Sequence, residues 1–191
     1  IRAGRAQGRS ADVIYDRLVD LYNRQPNLGV RTSTSVANQA YSTPAPLAFV
    51  ASELAGINNN TTVYEPTAGN GMLVIAANPS KVTLNELNDE RFQMLQRLYP
   101  EATVKQGNAL EDEFDPGSFD VVIENPPFGK VGDISNIDHD IANNSLRAMK
   151  EDGRAVLILG GVQANTEDGN RNRFNEGDHR YGHPVKKRRD V

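Results

Sequence analysis

The sequence predicts an α/β fold: a mostly parallel sheet with helices on both faces. Three observations carry this. Short β-branched runs alternate with helix-length segments from residue 44 to 160. Most runs break at glycine, asparagine or proline, where a strand stops and a helix or loop takes over. Two runs, 119–124 and 155–159, are apolar enough to be buried strands. At 191 residues the chain suits one domain with appendages.

Residues 1–9 are rich in arginine and glycine and read as a mobile lead. Ser10 is placed to cap an amphipathic helix to about Tyr22, with Val13, Ile14, Leu18 and Leu21 on its apolar side. Residues 23–40 read as connection. A helix follows from Pro44 to about Gly56, with Thr43 as its cap and Leu47, Phe49, Val50 and Leu54 as its packing residues. The free N–H groups and hydroxyls at such a helix start also suit a carboxylate.

Thr61–Tyr64 reads as the first strand. It runs into Glu65-Pro66-Thr67-Ala68-Gly69-Asn70-Gly71, and a helix is expected from there to about Ala77, stopped by Pro79. A strand, a glycine turn and a helix make a nucleotide-type binding loop, because Gly69 and Gly71 let the backbone come close to a ligand. The Lys-Ser/Thr ending of a phosphate loop is missing. A carboxylate, Glu65, stands at the strand tip, where it repels a pyrophosphate and attracts an ammonium. The ligand this favours is neutral or cationic near the loop, such as an amino-acid-bearing nucleoside; the other reading is a glycine turn that binds nothing.

Lys81–Asn85 reads as a second strand. Glu86, which follows it, falls near the spacing at which an acid reaches ribose hydroxyls. Leu87 is either core or a cover for a base. Asn88 is placed to cap a helix to about Leu98, with Phe92, Leu95 and Leu98 inward. Ala102–Lys105 is a third strand. Asn108, after Gly107, either meets a base edge or shapes a turn. Residues 111–118 form an acidic loop, and Phe119–Glu124 is the fourth strand.

That strand ends at Asn125-Pro126-Pro127-Phe128. Two prolines have no N–H for a ladder, so they stop the strand in a stiff corner. In open α/β sheets, ligands bind past the carboxyl ends of strands. The corner presents a carboxamide oxygen, a proline carbonyl and an aromatic face. Together these suit a flat ring bearing NH2: two acceptors for its hydrogens and a surface to stack on. A loop to about 138, a helix from about 139 to 150, a turn at Asp152-Gly153 and a fifth strand at Ala155–Leu159 complete the alternation.

The chain has no cysteine, so it has neither disulfides nor thiolate metal ligands. His139, His179 and His183 lack metal-ligand spacing, and no metal is expected. No apolar run approaches membrane-spanning length. The net charge of −4 is unevenly spread: +3 over residues 1–40, −8 over 41–150 and +1 over 151–191. A nucleic-acid binder normally carries a basic footprint, so this chain alone is expected to grip a polyanion weakly. The run Lys186-Lys187-Arg188-Arg189 reads first as a solvated tail. The start at Ile1 rather than Met suggests a piece of a longer protein.

Taken in order, the segments Tyr41-Ser42-Thr43-Pro44, Glu65 to Gly71, Glu86-Leu87, Gly107-Asn108 and Asn125-Pro126-Pro127-Phe128 resemble the N6-adenine DNA methyltransferases that use S-adenosyl-L-methionine, in their gamma motif order. The resemblance spans about residues 38–160 and implies a Rossmann-like class I methyltransferase fold. The chain also resembles, more faintly, the methyltransferase part of large phage or plasmid proteins with helicase-like regions, such as serve restriction–modification or antirestriction. The implied cofactor residues are Tyr41, Thr43, Pro44, Glu65, Thr67, Gly69, Gly71, Glu86, Leu87, Asn108, Ala109 and Asn125. Thr43 and Pro44 would lie near the methionine carboxylate. Glu65, Gly69 and Gly71 would border the amino-acid end, Glu86 the ribose, and Leu87 and Asn108 the adenine. The family more often has Asp at the Asn108 position. The implied catalytic residues are Asn125, Pro126, Pro127 and Phe128, holding a flipped-out adenine of DNA.

The expected organisation is an N-terminal extension over 1–40, a methyltransferase domain over 41–160 and a flexible basic tail over 161–191. Neither the C-terminal strand pair nor the target-recognition domain expected of the class is legible in that tail, so either the chain is truncated, or missing stretches have been closed up, or target recognition belongs to further domains or subunits. The resemblance implies a cytoplasmic protein of a bacterial or phage-infected cell. An RNA adenine or a protein glutamine also presents a planar NH2 to such a corner. A catalytically silent cofactor-binding module is the reading from a different class.

Overall fold

The computed structural model describes residues 1–25, 42–129, 132–134 and 136–160. Five strands form one sheet in the order β3-β2-β1-β4-β5, with every pairing parallel. They are β1 Val63–Glu65, β2 Val82–Glu86, β3 Thr103–Gln106, β4 Phe119–Glu124 and β5 Met149–Leu157. Residues Ile1–Leu159 make one compact unit. Residues 161–191, read above as a flexible tail, lie outside the described residues.

The helices are α1 Arg2–Ala6, α2 Ala11–Asn23, α3 Ala45–Leu54, α4 Asp89–Leu98 and α5 Ile137–Ser145. One face of the sheet offers Val63, Val82, Leu84, Val121 and Ile123. These pack against Ala48 and Ala51 of α3, Ala55 beyond it, Leu95 of α4 and Tyr99. The other face offers Tyr64 and Val122, covered by Phe119, Ala148 and the half-buried Phe114, Met149 and Leu157. Each fully buried aliphatic side chain contributes about 1.5–3 kcal/mol by leaving water. Phe119 and Val121 face different clusters because the ladder slips between them, and the N–H groups of Asp120 and Val121 both donate to the carbonyl of Thr62.

Several expectations need correction. Residues 2–6 are helical rather than loose, and Arg5 reaches Glu53 and the carbonyls of Ile57 and Ala76. Thr43 makes no cap; Pro44 occupies that position and Pro46 sits in the first turn. Leu47, Val50 and Leu54 are exposed, as are Val13 and Leu21. The sheet accepts α3 through its small residues, because alanines allow a close helix–sheet approach that leucines would prop apart.

No helix forms between Gly71 and Ala77. The segment turns through the pairs Ile75 N to Met72 O and Ala77 N to Val74 O, and it buries Leu73, Val74, Ala76 and Ala77. Pro79 follows too soon for a regular helix to gain more than a turn or two. Leu98 is exposed, and the inward residue after Leu95 is Tyr99. Asn88 does cap α4, accepting from Arg91 N at 3.0 Å. Helix α5 begins at Ile137 and ends at Ser145, before the expected limit of 150. The Asp152-Gly153 turn lies inside β5, where the register jumps between Phe119↔Met149 and Val121↔Arg154.

Candidate functional site

The strand order reverses between β1 and β4, and ligands bind past the carboxyl ends of the strands at such a switch point. Three adjacent strands end there on glutamate: Glu86 on β2, Glu65 on β1 and Glu124 on β4. All three are buried, Glu65 at 2% exposure and Glu124 at 0%. Burial pushes the Glu65 carboxyl well above the usual range, helped by the charges of Glu86 and Glu124. Burial also raises Glu124, and Asp138 adds to the rise while a hydrogen bond from Ser145 opposes it, leaving it at about 8. Among the described residues no group of carboxylates and imidazoles is arranged to hold a metal ion.

The turn after β1 is fastened by residues of β2. Ala68 N donates to the carbonyl of Asn85 at 2.8 Å, and Gly69 N donates to Glu86 Oε2 at 2.7 Å. Asn85 Nδ2 reaches both Pro66 O and Gly107 O at 3.0 Å, so one amide ties the turns after β1 and β3 together. Gly71 has φ +72°, and an added Cβ would fall 2.5 Å from Tyr99 Cε2. The Tyr99 hydroxyl donates to Gly71 O at 2.7 Å, and burial holds its pKa up at about 12. The glycines thus serve both the turn and its packing.

At the corner after β4, Asn125 Nδ2 donates to Thr43 Oγ1 at 3.0 Å. Asn125 Oδ1 is buried and has no hydrogen-bond partner among the described residues. The same holds for Glu65 Oε2, Thr67 Oγ1 and Glu124 Oε1. Leaving such acceptors dry costs about 1–3 kcal/mol each. These oxygens lie at the carboxyl ends of β1 and β4 or in the turns that follow them. Pro126 is buried, Pro127 half-buried, and Phe128 is 37% exposed.

Leu87 is 70% exposed, so it is not core. It stands free at the end of β2 beside Glu86, whose Oε1 accepts from Asn88 N at 2.8 Å. Asn108 shapes a turn: its Oδ1 accepts from Leu110 N, and its Nδ2 donates to Glu111 Oε1. Ala109 is buried beside Ile137 and Ile141, and its carbonyl accepts from Asn144. Tyr41 lies outside the described residues.

Many solved structures share this fold, and three illustrate it. A candidate RNA methyltransferase of Pyrococcus horikoshii aligns with 71% of this chain and 69% of its own, at 21% identity and TM-score 0.53. TrmN of Thermus thermophilus aligns with 69% of this chain and 44% of its own, at 20% identity and TM-score 0.53. A candidate methyltransferase of Bacillus halodurans aligns with 62% of this chain and 52% of its own, at 17% identity and TM-score 0.50. The chain has the class I methyltransferase fold. The chain spans about two thirds of the first structure and about half of the other two. Neither a family model nor a curated protein matches the sequence.

Within the class I methyltransferase fold, sequence reasoning missed Asn85, Tyr99, Glu124, Asp138 and Ser145. Glu124 adjoins the corner and ends an apolar run, which is a signal that a buried acid is present. The roles of Asn85 and Tyr99 rest on contacts 19 to 28 residues away, and no local pattern announces them. Among the described residues no helix is long and apolar enough to cross a membrane.

Proposed function

We propose that this chain transfers a methyl group from S-adenosyl-L-methionine to the N6 amine of an adenine in DNA. The observation that carries the reading is the carboxamide of Asn125. Its amide nitrogen is held by Thr43 and its oxygen is left buried without a partner among the described residues, at the carboxyl end of β4.

The residues present fit the methyl donor. Glu65 offers a buried carboxylate oxygen with no partner among the described residues, suited to the ammonium of the donor's amino-acid end. Glu86 already accepts from two backbone N–H groups. A carboxylate has about four lone-pair sites, so it retains capacity for ribose hydroxyls. Leu87 would supply an apolar face for the donor's adenine, and Thr43 would lie near its carboxylate. Bound there, the donor supplies an electrophilic methyl on a positively charged sulfur.

The chain's own residues act on the acceptor. An adenine amine is a poor nucleophile because its lone pair is delocalised into the ring. Asn125 Oδ1 and the Pro126 carbonyl accept its two hydrogens and draw the nitrogen toward tetrahedral geometry, while Phe128 stacks on the ring. A base within a duplex reaches such a pocket only by flipping out, at a cost of a few kcal/mol.

RNA is the second reading, favoured by the likeness to the candidate RNA methyltransferase of Pyrococcus horikoshii. The test supplies labelled methyl donor to the full chain with DNA, RNA or protein in separate reactions, and digests the product to nucleosides. Label in N6-methyladenine from DNA, absent with Asn125→Ala, is the expected result. Label in RNA alone replaces the acceptor, and label in protein alone overturns a nucleic-acid substrate.

A further inference from the structure

Helix α5 touches the acceptor corner at both ends. At its start, the Gly129 carbonyl accepts from Ile137 N at 3.0 Å, and Gly129 N donates to Asp138 Oδ1 at 3.3 Å. At its end, Ser145 Oγ donates to Glu124 Oε2 at 3.0 Å, next to Asn125. The helix is itself fixed: Ile137 and Ile141 pack on Ala109, and Asn144 Nδ2 donates to the carbonyls of Ala109 and Asp112. Nine residues at about 1.5 Å each make a rigid bar under the corner.

We propose that α5 braces the acceptor corner, with Asp138 as the positioning residue that holds Phe128 over the acceptor through the backbone of Gly129. The brace rests on contacts; its consequence for the acceptor rests on the proposed function. Pro127 stiffens the chain on one side of Phe128. Gly129 follows on the other side at φ +66°, with nothing among the described residues within 4 Å of an added Cβ. Both its backbone groups are spent on hydrogen bonds to α5. Asp138 is 2% exposed. A carboxylate so buried is costly, and here the Gly129 N–H is part of what offsets it.

The chain has no tryptophan, so Phe128→Trp installs a single reporter at the corner. In that background, Asp138→Ala is expected to lower the tryptophan fluorescence anisotropy, and Asp138→Asn, which keeps an acceptor oxygen, to leave it near the parent value. With Phe128 restored, Asp138→Ala is expected to lower kcat/KM for an adenine-containing oligonucleotide about tenfold, and to leave the Kd of S-adenosylhomocysteine within about twofold. Ser145→Ala acts on the other end of the bar and is expected to move the same readouts in the same direction; it stands in if Asp138→Ala fails to fold. Unchanged anisotropy in the Ala variants, or Asp138→Asn as impaired as Asp138→Ala, overturns the brace. If the parent chain methylates no acceptor, the functional reading fails, while the anisotropy still decides the brace.

Discussion

Asn125 and Thr43, 82 residues apart, meet at 3.0 Å through the Asn125 Nδ2 hydrogen and the Thr43 hydroxyl oxygen. The contact orients the carboxamide. With the nitrogen engaged, the oxygen is the end left for a ligand, and it is buried without a partner among the described residues. Under the proposed function, Thr43 would thus help to set the acceptor geometry.

Thr43→Val keeps the shape and removes the hydroxyl. Losing one buried neutral hydrogen bond is worth about 0.5–1.5 kcal/mol, so transfer should slow by roughly two- to tenfold as the carboxamide gains freedom to turn. Thr43→Ser should retain most of the rate. Steady-state kinetics with a saturating donor checks both, and equal rates for Val and Ser would remove Thr43 from this role.

Glu65 titrates high in the free protein because it is buried beside two other acids. An ammonium at its oxygen would favour the ionised form. Donor binding should therefore expel a proton, and affinity should rise with pH until the free carboxyl ionises by itself. Calorimetry in buffers of different ionisation enthalpy measures this directly. Proton uptake on binding would contradict the pairing, and Glu65→Gln should abolish the release.

Glu86 has two duties, fastening Gly69 N and Asn88 N and offering its remaining lone pairs to a ligand. Glu86→Ala strands both N–H groups. A loss of about 1–3 kcal/mol in donor affinity is expected. A lower melting temperature should accompany it. Unchanged donor affinity with reduced stability would leave Glu86 as a loop fastener alone.

Glu124 binds its proton more tightly folded, at about 8, than in the ordinary range near 4.5. A raised acid favours the folded state fully below its unfolded pKa, and that contribution is lost as pH rises through the folded one. Glu65 acts in the same direction. Stability should therefore decline from mildly acidic pH to about pH 8, by up to about 1.4 kcal/mol for each pH unit that a carboxyl stays protonated only when folded. Asp120 is held down at about 2, chiefly by Lys150, so its contribution is lost only as pH falls toward that value. Urea unfolding across pH 5 to 9 tests this, and Glu124→Gln should flatten the curve; a wild-type profile that climbs toward pH 8 would refute it.

Local chemistry was enough to read much of this protein. Alternation of β-branched runs with capped helical segments announced the parallel sheet, and Asn88 capping α4 is a contact within one turn. The limits of β4 were legible because an apolar run met two prolines, which no ladder can absorb. Glycines following a strand-tip acid marked the tight turn after β1. What periodicity could not tell was which apolar residues the fold would choose. Leu54 and Leu98 look inward on a helical wheel, yet the sheet took alanines and Tyr99. The distance-spanning facts also belong to the tertiary structure: Thr43 beside Asn125, Asn85 tying two turns, and three glutamates brought to one buried edge. Their altered protonation follows from losing water and gaining one another as neighbours, and a side chain acquires neither until distant segments of the chain are packed together.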